Sequence, residues 1–115
     1  MAHIETKAQQ LVEEAEKKLS SGGFFRNLFT KPSDRLEESI EYYMRAGNLF
    51  KMAKNWRQAG HAFEDAGDLC LRNSNQPEAA INYTEAAICF KKVDIVKAVE
   101  LYTKAIELYQ EKGKF

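Results

Sequence analysis

Ala59-Gly60-His61-Ala62-Phe63-Glu64-Asp65-Ala66-Gly67-Asp68-Leu69 carries a pattern that recurs along the chain. Ala59, Phe63, Ala66 and Leu69 stand at offsets 0, 4, 7 and 10, which is one face of a helix. Ser39, Tyr43, Ala46 and Leu49 repeat those offsets upstream. Ala79, Tyr83, Ala86 and Cys89 repeat them downstream, and so do Ala98, Tyr102, Ala105 and Leu108. The sets begin 20, 20 and 19 residues apart. A period of one helix plus a tight turn means antiparallel neighbours stacked as hairpins. The small–aromatic–small–large order has a packing reason, because a ring on one helix needs an alanine-sized gap on the next. Ala46, Ala66, Ala86 and Ala105 are the expected gaps, and Gly47, Gly60 and Gly67 permit still closer approach.

The rest of the chain agrees with helices throughout. Pro32 and Pro77 are its only prolines, good helix formers dominate, and no stretch alternates with period two. Five helices are predicted, over about 4–19, 35–53, 55–72, 76–92 and 94–113. Ser33 or Asp34, Asn55 and Asp94 are the expected caps, and Pro77 falls in a first turn, where its missing N–H costs nothing. The 115 residues, 44% apolar and 30% charged, suit one small globular domain. A net charge of zero removes bulk attraction to nucleic acid or membrane, though not a local patch. No apolar run approaches the ~20 residues of a spanning helix. The polar start, Met1 to Gln10, lacks the core of a secretory signal, so a cytoplasmic location is expected. Cys70 and Cys89 stand at apolar repeat positions and read as small buried hydrophobes.

Trp56-x2-Ala59-Gly60-x2-Phe63, followed by Ala79-x3-Tyr83-x2-Ala86, resembles the tetratricopeptide consensus. The interval between the tryptophan and the later alanine is longer, so taller hairpins with a repeat of about 40 rather than 34 residues are expected. The predicted fold is all-α: residues 1–115 as one TPR-like layer of antiparallel helical hairpins with a right-handed superhelical twist.

Two constellations stand out. Phe24, Phe25, Leu28 and Phe29 lie between Gly22-Gly23 and Pro32, apart from the helices. Burying such a side chain gains about 1.5–3 kcal/mol, and Arg26 and Lys31 could each add about 1 kcal/mol on anionic lipid. The residues alone allow a membrane-dipping loop or a plug folded back onto the groove between the first two helices. The second constellation is Lys51, Lys54, Lys91, Lys92, Lys112 and Lys114, near the ends of the second, fourth and fifth helices. Cations there compensate helix dipoles. Because the second and fourth helices run the same way, their ends also share an edge able to meet an acidic surface. Catalytic chemistry finds no foothold. His3 and His61 have no metal-ligand spacing with the cysteines, and no Gly-rich phosphate loop occurs. Asp65 and Asp68 lack a partner for acid–base work. No catalytic residue, metal or cofactor is expected.

Phe24-Phe25-Arg26-Asn27-Leu28-Phe29 is followed by Arg45-Ala46-Gly47-Asn48-Leu49-Phe50-Lys51-Met52-Ala53-Lys54-Asn55-Trp56. Then come Phe90-Lys91-Lys92, Ala105-Ile106-Glu107-Leu108-Tyr109 and Gly113-Lys114-Phe115. Together these resemble the N-terminal part of the soluble NSF attachment proteins, the alpha/beta type (Sec17-like) rather than gamma. The resemblance covers the whole chain. It implies a cytosolic adaptor, peripheral on membranes, that coats the SNARE complex and recruits the NSF ATPase after membrane fusion, with no nucleic-acid partner. It implies lipid contact by Phe24, Phe25, Leu28 and Phe29. It implies SNARE contact by Lys54 and Lys114, with Lys91 and Lys92 as weaker candidates. The family's C-terminal bundle, which carries the ATPase contact, has no counterpart here. An N-terminal fragment or short form is therefore expected, without stimulation of the ATPase. The competing reading is a generic TPR-like peptide-binding scaffold.

Overall fold

The computed structural model describes residues 2–20 and 32–113. Among them are five helices and no strand: α1 Ala2–Ser20, α2 Pro32–Met52, α3 Trp56–Arg72, α4 Gln76–Phe90 and α5 Ile95–Gly113. Each packs on its neighbours in sequence, and the whole measures 46 × 43 × 16 Å. This is an all-α layer of antiparallel helical hairpins, as the repeat predicts. The helix α2 begins at Pro32, earlier than the expected Arg35, so Asp34 sits in its first turn beside the positive end of the dipole.

The repeated face is the core. Tyr43, Phe63 and Tyr83 are buried, as are Ala46, Ala66, Ala86 and Ala105, while Tyr102 is half-buried. Rings also sit tightly over the glycines. A Cβ at Gly47 would stand 2.7 Å from the Phe63 ring, one at Gly60 2.6 Å from Phe90, and one at Gly67 2.8 Å from Tyr83. The polar core positions are matched: Ser39 Oγ donates to the Ala15 carbonyl at 3.0 Å, and Asn82 Nδ2 to the Glu78 carbonyl at 3.1 Å. Cys70 and Cys89 are buried free thiols, each pushed up to about 11, chiefly by burial, and so unreactive.

Two three-residue turns share one construction. Asn55 N–H donates to the Phe50 carbonyl and Lys54 N–H to that of Lys51; Asn75 and Ser74 do the same to Cys70 and Leu71. This is the Schellman pattern, with the residue before each asparagine in the left-handed region. Lys54 (φ 62°) and Ser74 (φ 58°) stand where glycine is usual. Each asparagine then caps the following helix, its Oδ1 accepting from Gln58 or Glu78 N–H at 3.3 Å. These turns fix the alternation of helix direction that decides which side chains share an edge.

Candidate functional site

Alternation brings the α2–α3 and α4–α5 turns to one edge of the layer. Lys54 is exposed on the first turn, and Lys91 and Lys92 are exposed on the second. Trp56, the first residue of α3, joins them: Lys92 Nζ lies 5.0 Å from its ring centroid. Arg57 Nη1 reaches Asp94 Oδ2 at 3.8 Å across the same gap. Lysines 38 positions apart in sequence are thus held on one strip. Exposed Met52 and Val93 beside them make the strip amphipathic.

Lys51 does not join that strip as a free cation. Its Nζ is 3.2 Å from Glu85 Oε2 and lies 5.8 Å from the Phe63 ring centroid, tying α2 to α4. Lys97 ties α5 to α3 in the same way, through Glu64 at 2.9 Å. Lys114 lies outside the described residues. The end of α5, which it follows in sequence, is at the opposite edge from Lys54, because α5 runs against α4. Phe24, Phe25, Leu28 and Phe29 also lie outside the described residues. Their flanking helix ends, Ser20 and Pro32, are on that same opposite edge. Sequence reading missed Trp56 as the bridge; its side chain meets Lys92 only through the fold, and no local signal announces that.

Away from that edge, one groove is more acidic. A groove of about 330 Å³ between α3 and α5 is floored by Tyr83 and lined by Asp68, Leu71, Lys104, Glu107 and Glu111. Tyr83 Oη donates to Asp68 Oδ1 at 2.6 Å. Nearby, the Asp65 carboxyl is pushed up to about 6, first by lost hydration and then by the carboxylates of Asp68, Glu64 and Glu16. His61 is exposed, edge-on to Phe90 with ring centroids 5.0 Å apart. Among the described residues no group of three or more His, Cys, Asp or Glu is placed to hold a metal. No described helix is long and apolar enough to cross a membrane.

A family model described as soluble NSF attachment protein, SNAP, matches residues 6–115. The chain is 43% identical over 112 residues to the human alpha-soluble NSF attachment protein, covering 96% of this chain and 38% of that protein. It is 40% identical to the bovine beta-soluble NSF attachment protein, over 96% of this chain and 37% of that one. It is 33% identical to the vesicular-fusion protein SEC17 of Komagataella phaffii, again over 96% and 37%. The chain therefore spans a little over a third of the length of these relatives. With a match over nearly all of its residues, the chain belongs to the soluble NSF attachment protein family.

Proposed function

We propose that this chain is a non-enzymatic adaptor. It rests on a membrane through Phe24, Phe25, Leu28 and Phe29 and meets an assembled SNARE bundle with Lys54, Lys91, Lys92 and Lys114. The observation that carries this reading is the basic strip around Trp56 in a chain of this family. The backbone adds support. Lys54 occupies a left-handed position at an exposed turn, where a lysine costs more than a glycine. Ser74 holds the equivalent place without a charge, so the turn itself does not demand a cation.

The helices set the geometry of the encounter. At 21 residues, α2 is about 31 Å long, which separates the edge bearing Ser20 and Pro32 from the lysine strip. A loop dipping into lipid then holds the strip well clear of the headgroups, where a bundle rising from the membrane passes. A rod laid along the helices meets Lys54 at one edge and, at the other, the end of α5, which Lys114 follows in sequence. Several copies on one bundle add their lipid contacts through effective concentration. The chain's place is the cytoplasm and the membrane surface.

The test pairs liposome flotation with binding to an assembled SNARE bundle and to single SNARE peptides. Replacing Phe24 and Phe25 by Ser should weaken flotation and leave the fold intact by circular dichroism. Equal flotation would favour the loop as a plug. Binding to single peptides but not to the bundle would favour the peptide-scaffold reading. That reading has the groove at Tyr83, whose carboxylates suit a basic segment better than an acidic bundle.

A further inference from the structure

The edge that bears Ser20 and Pro32 holds a second basic constellation. There α1 ends, α2 begins and α3 ends at Arg72. Lys18, Leu19, Arg35, Leu36 and Arg72, drawn from all three helices, line a pocket of about 90 Å³. One buried water needs about 10–15 Å³, so the pocket admits a polyatomic group. Dipole compensation accounts for two of its cations, since Lys18 and Arg72 stand in the last turns of α1 and α3. It does not account for Arg35. That residue is the fourth of α2, beside the positive end of the dipole, where a cation is disfavoured. Its Nε is buried and has no hydrogen-bond partner, whereas buried donors are normally paired. Among the described residues no carboxylate pairs with Arg35 or Arg72. Lys18 Nζ pairs with Glu38 Oε2 at 3.1 Å. Three cations against that one carboxylate leave the pocket a surplus of two positive charges. Asp34 and Glu37 flank Arg35 in the chain but do not line the pocket.

We infer that this pocket is an anion site and that it takes a phosphomonoester. The guanidinium groups of Arg35 and Arg72 carry planar forks of N–H donors that match phosphate oxygens. A phosphate between them supplies the acceptor that Arg35 Nε lacks. A phosphomonoester carries about −1.5 to −2 charges at pH 7, which meets the surplus of two. A phosphodiester, with a single charge, meets half of it. Leu19 and Leu36 suit the carbon skeleton beside the phosphate better than they suit a bare ion. The headgroup of phosphatidic acid offers this chemistry, and so does a soluble glycerol phosphate. The anion site stands on the pocket alone; a lipid as its source rests on the membrane reading proposed above. Under that reading the pocket and the segment bearing Phe24 and Phe25 approach the bilayer together, because Ser20 and Pro32 flank that segment at the same edge.

Two arms separate the sources, with circular dichroism on every variant. In the first, glycerol 3-phosphate is titrated into the whole chain and the thermal midpoint followed, because a ligand of the folded state raises it. The wild-type midpoint should rise. Arg35→Gln and Arg72→Gln should each need about tenfold more ligand, the loss of one charge-assisted pair. Lys17→Gln, at an exposed lysine outside the pocket, should behave as the wild type does. In the second arm, flotation compares phosphatidylcholine vesicles with vesicles carrying phosphatidic acid or, at matched surface charge, phosphatidylserine. The wild type should prefer phosphatidic acid. Arg35→Gln and Arg72→Gln should lose that preference and still float through Phe24 and Phe25. Flotation unchanged by Phe24→Ser and Phe25→Ser sinks the membrane reading and leaves the first arm intact. A midpoint shift without vesicle preference assigns the site to a soluble phosphomonoester; preference without a shift assigns it to the lipid. Neither shift nor preference overturns the inference. Equal losses in Arg35→Gln, Arg72→Gln and Lys17→Gln overturn it too, since they reduce the pocket to diffuse charge.

Discussion

Glycines at helix interiors usually weaken a helix, and replacing one by alanine gains about 1 kcal/mol. At Gly60 and Gly67 the sign should reverse. The added methyl would stand 2.6 Å from ring carbons of Phe90, or 2.8 Å from the Tyr83 ring. Both rings are buried themselves, so each must shift against its packed neighbours to admit the methyl. Gly60→Ala and Gly67→Ala should each destabilise by about 1–3 kcal/mol through overpacking, read as a lower midpoint in urea. Asp65 offers a second residue-scale test. Its folded pKa, about 6, is above the ordinary 3.8, so the folded chain holds that proton more tightly than the unfolded one. The stability this provides is complete below about pH 4 and is lost as pH rises through about 6. Asp65→Asn should therefore raise the melting temperature at pH 7.5, with a smaller gain at pH 4.5. An equal gain at both would show that neither lost hydration nor the carboxylates of Asp68, Glu64 and Glu16 hold the proton on Asp65.

At the scale of the element, the turns decide which helix ends meet. Asn55 closes the Schellman pattern behind it and caps the helix ahead of it. Asn55→Ala should cost about 1 kcal/mol, while Lys54→Gly should gain about 1 kcal/mol by relieving the left-handed strain. Thermal melts of the two variants should move in opposite directions. The helices themselves were legible in sequence, because small and aromatic residues at offsets 0, 4, 7 and 10 leave only one face to bury. The seats of the rings were half-legible. Gly47, Gly60 and Gly67 announced close approach, yet which ring met which glycine depended on the crossing of neighbouring helices. The turns were less legible, since Lys54 and Ser74 occupy positions where glycine is the usual signal. Of the candidate site, the shared edge of Lys54, Lys91 and Lys92 followed from helix direction alone. The Trp56–Lys92 contact did not, because it joins residues 36 positions apart. Lys51 and Lys54 looked alike in sequence, and only the fold separates the lysine paired with Glu85 from the exposed one.

For the whole molecule, the proposal turns on whether the basic strip does more than offset helix dipoles. A chain of zero net charge has no general pull on an acidic partner, so attraction must come from local placement. Lys54→Gly separates the two roles, because it removes the charge while easing the backbone. If the lysine serves only its own helix end, this variant binds an assembled SNARE bundle as the wild type does. If it faces the bundle, Lys54→Gly binds more weakly despite being more stable, and Lys54→Glu more weakly again, because repulsion replaces attraction. Adding Lys114→Glu should deepen the loss, as that residue follows a helix ending at the opposite edge and a rod spanning the layer meets both. Exposed charges are screened within about 10 Å at 0.1 M salt, so wild-type affinity should fall as salt rises and converge on that of the reversed variants. The measurement is binding of the four proteins to the bundle across a salt series, with circular dichroism confirming the fold of each. Identical affinities at low salt would reduce the lysines of this edge to solvated helix ends.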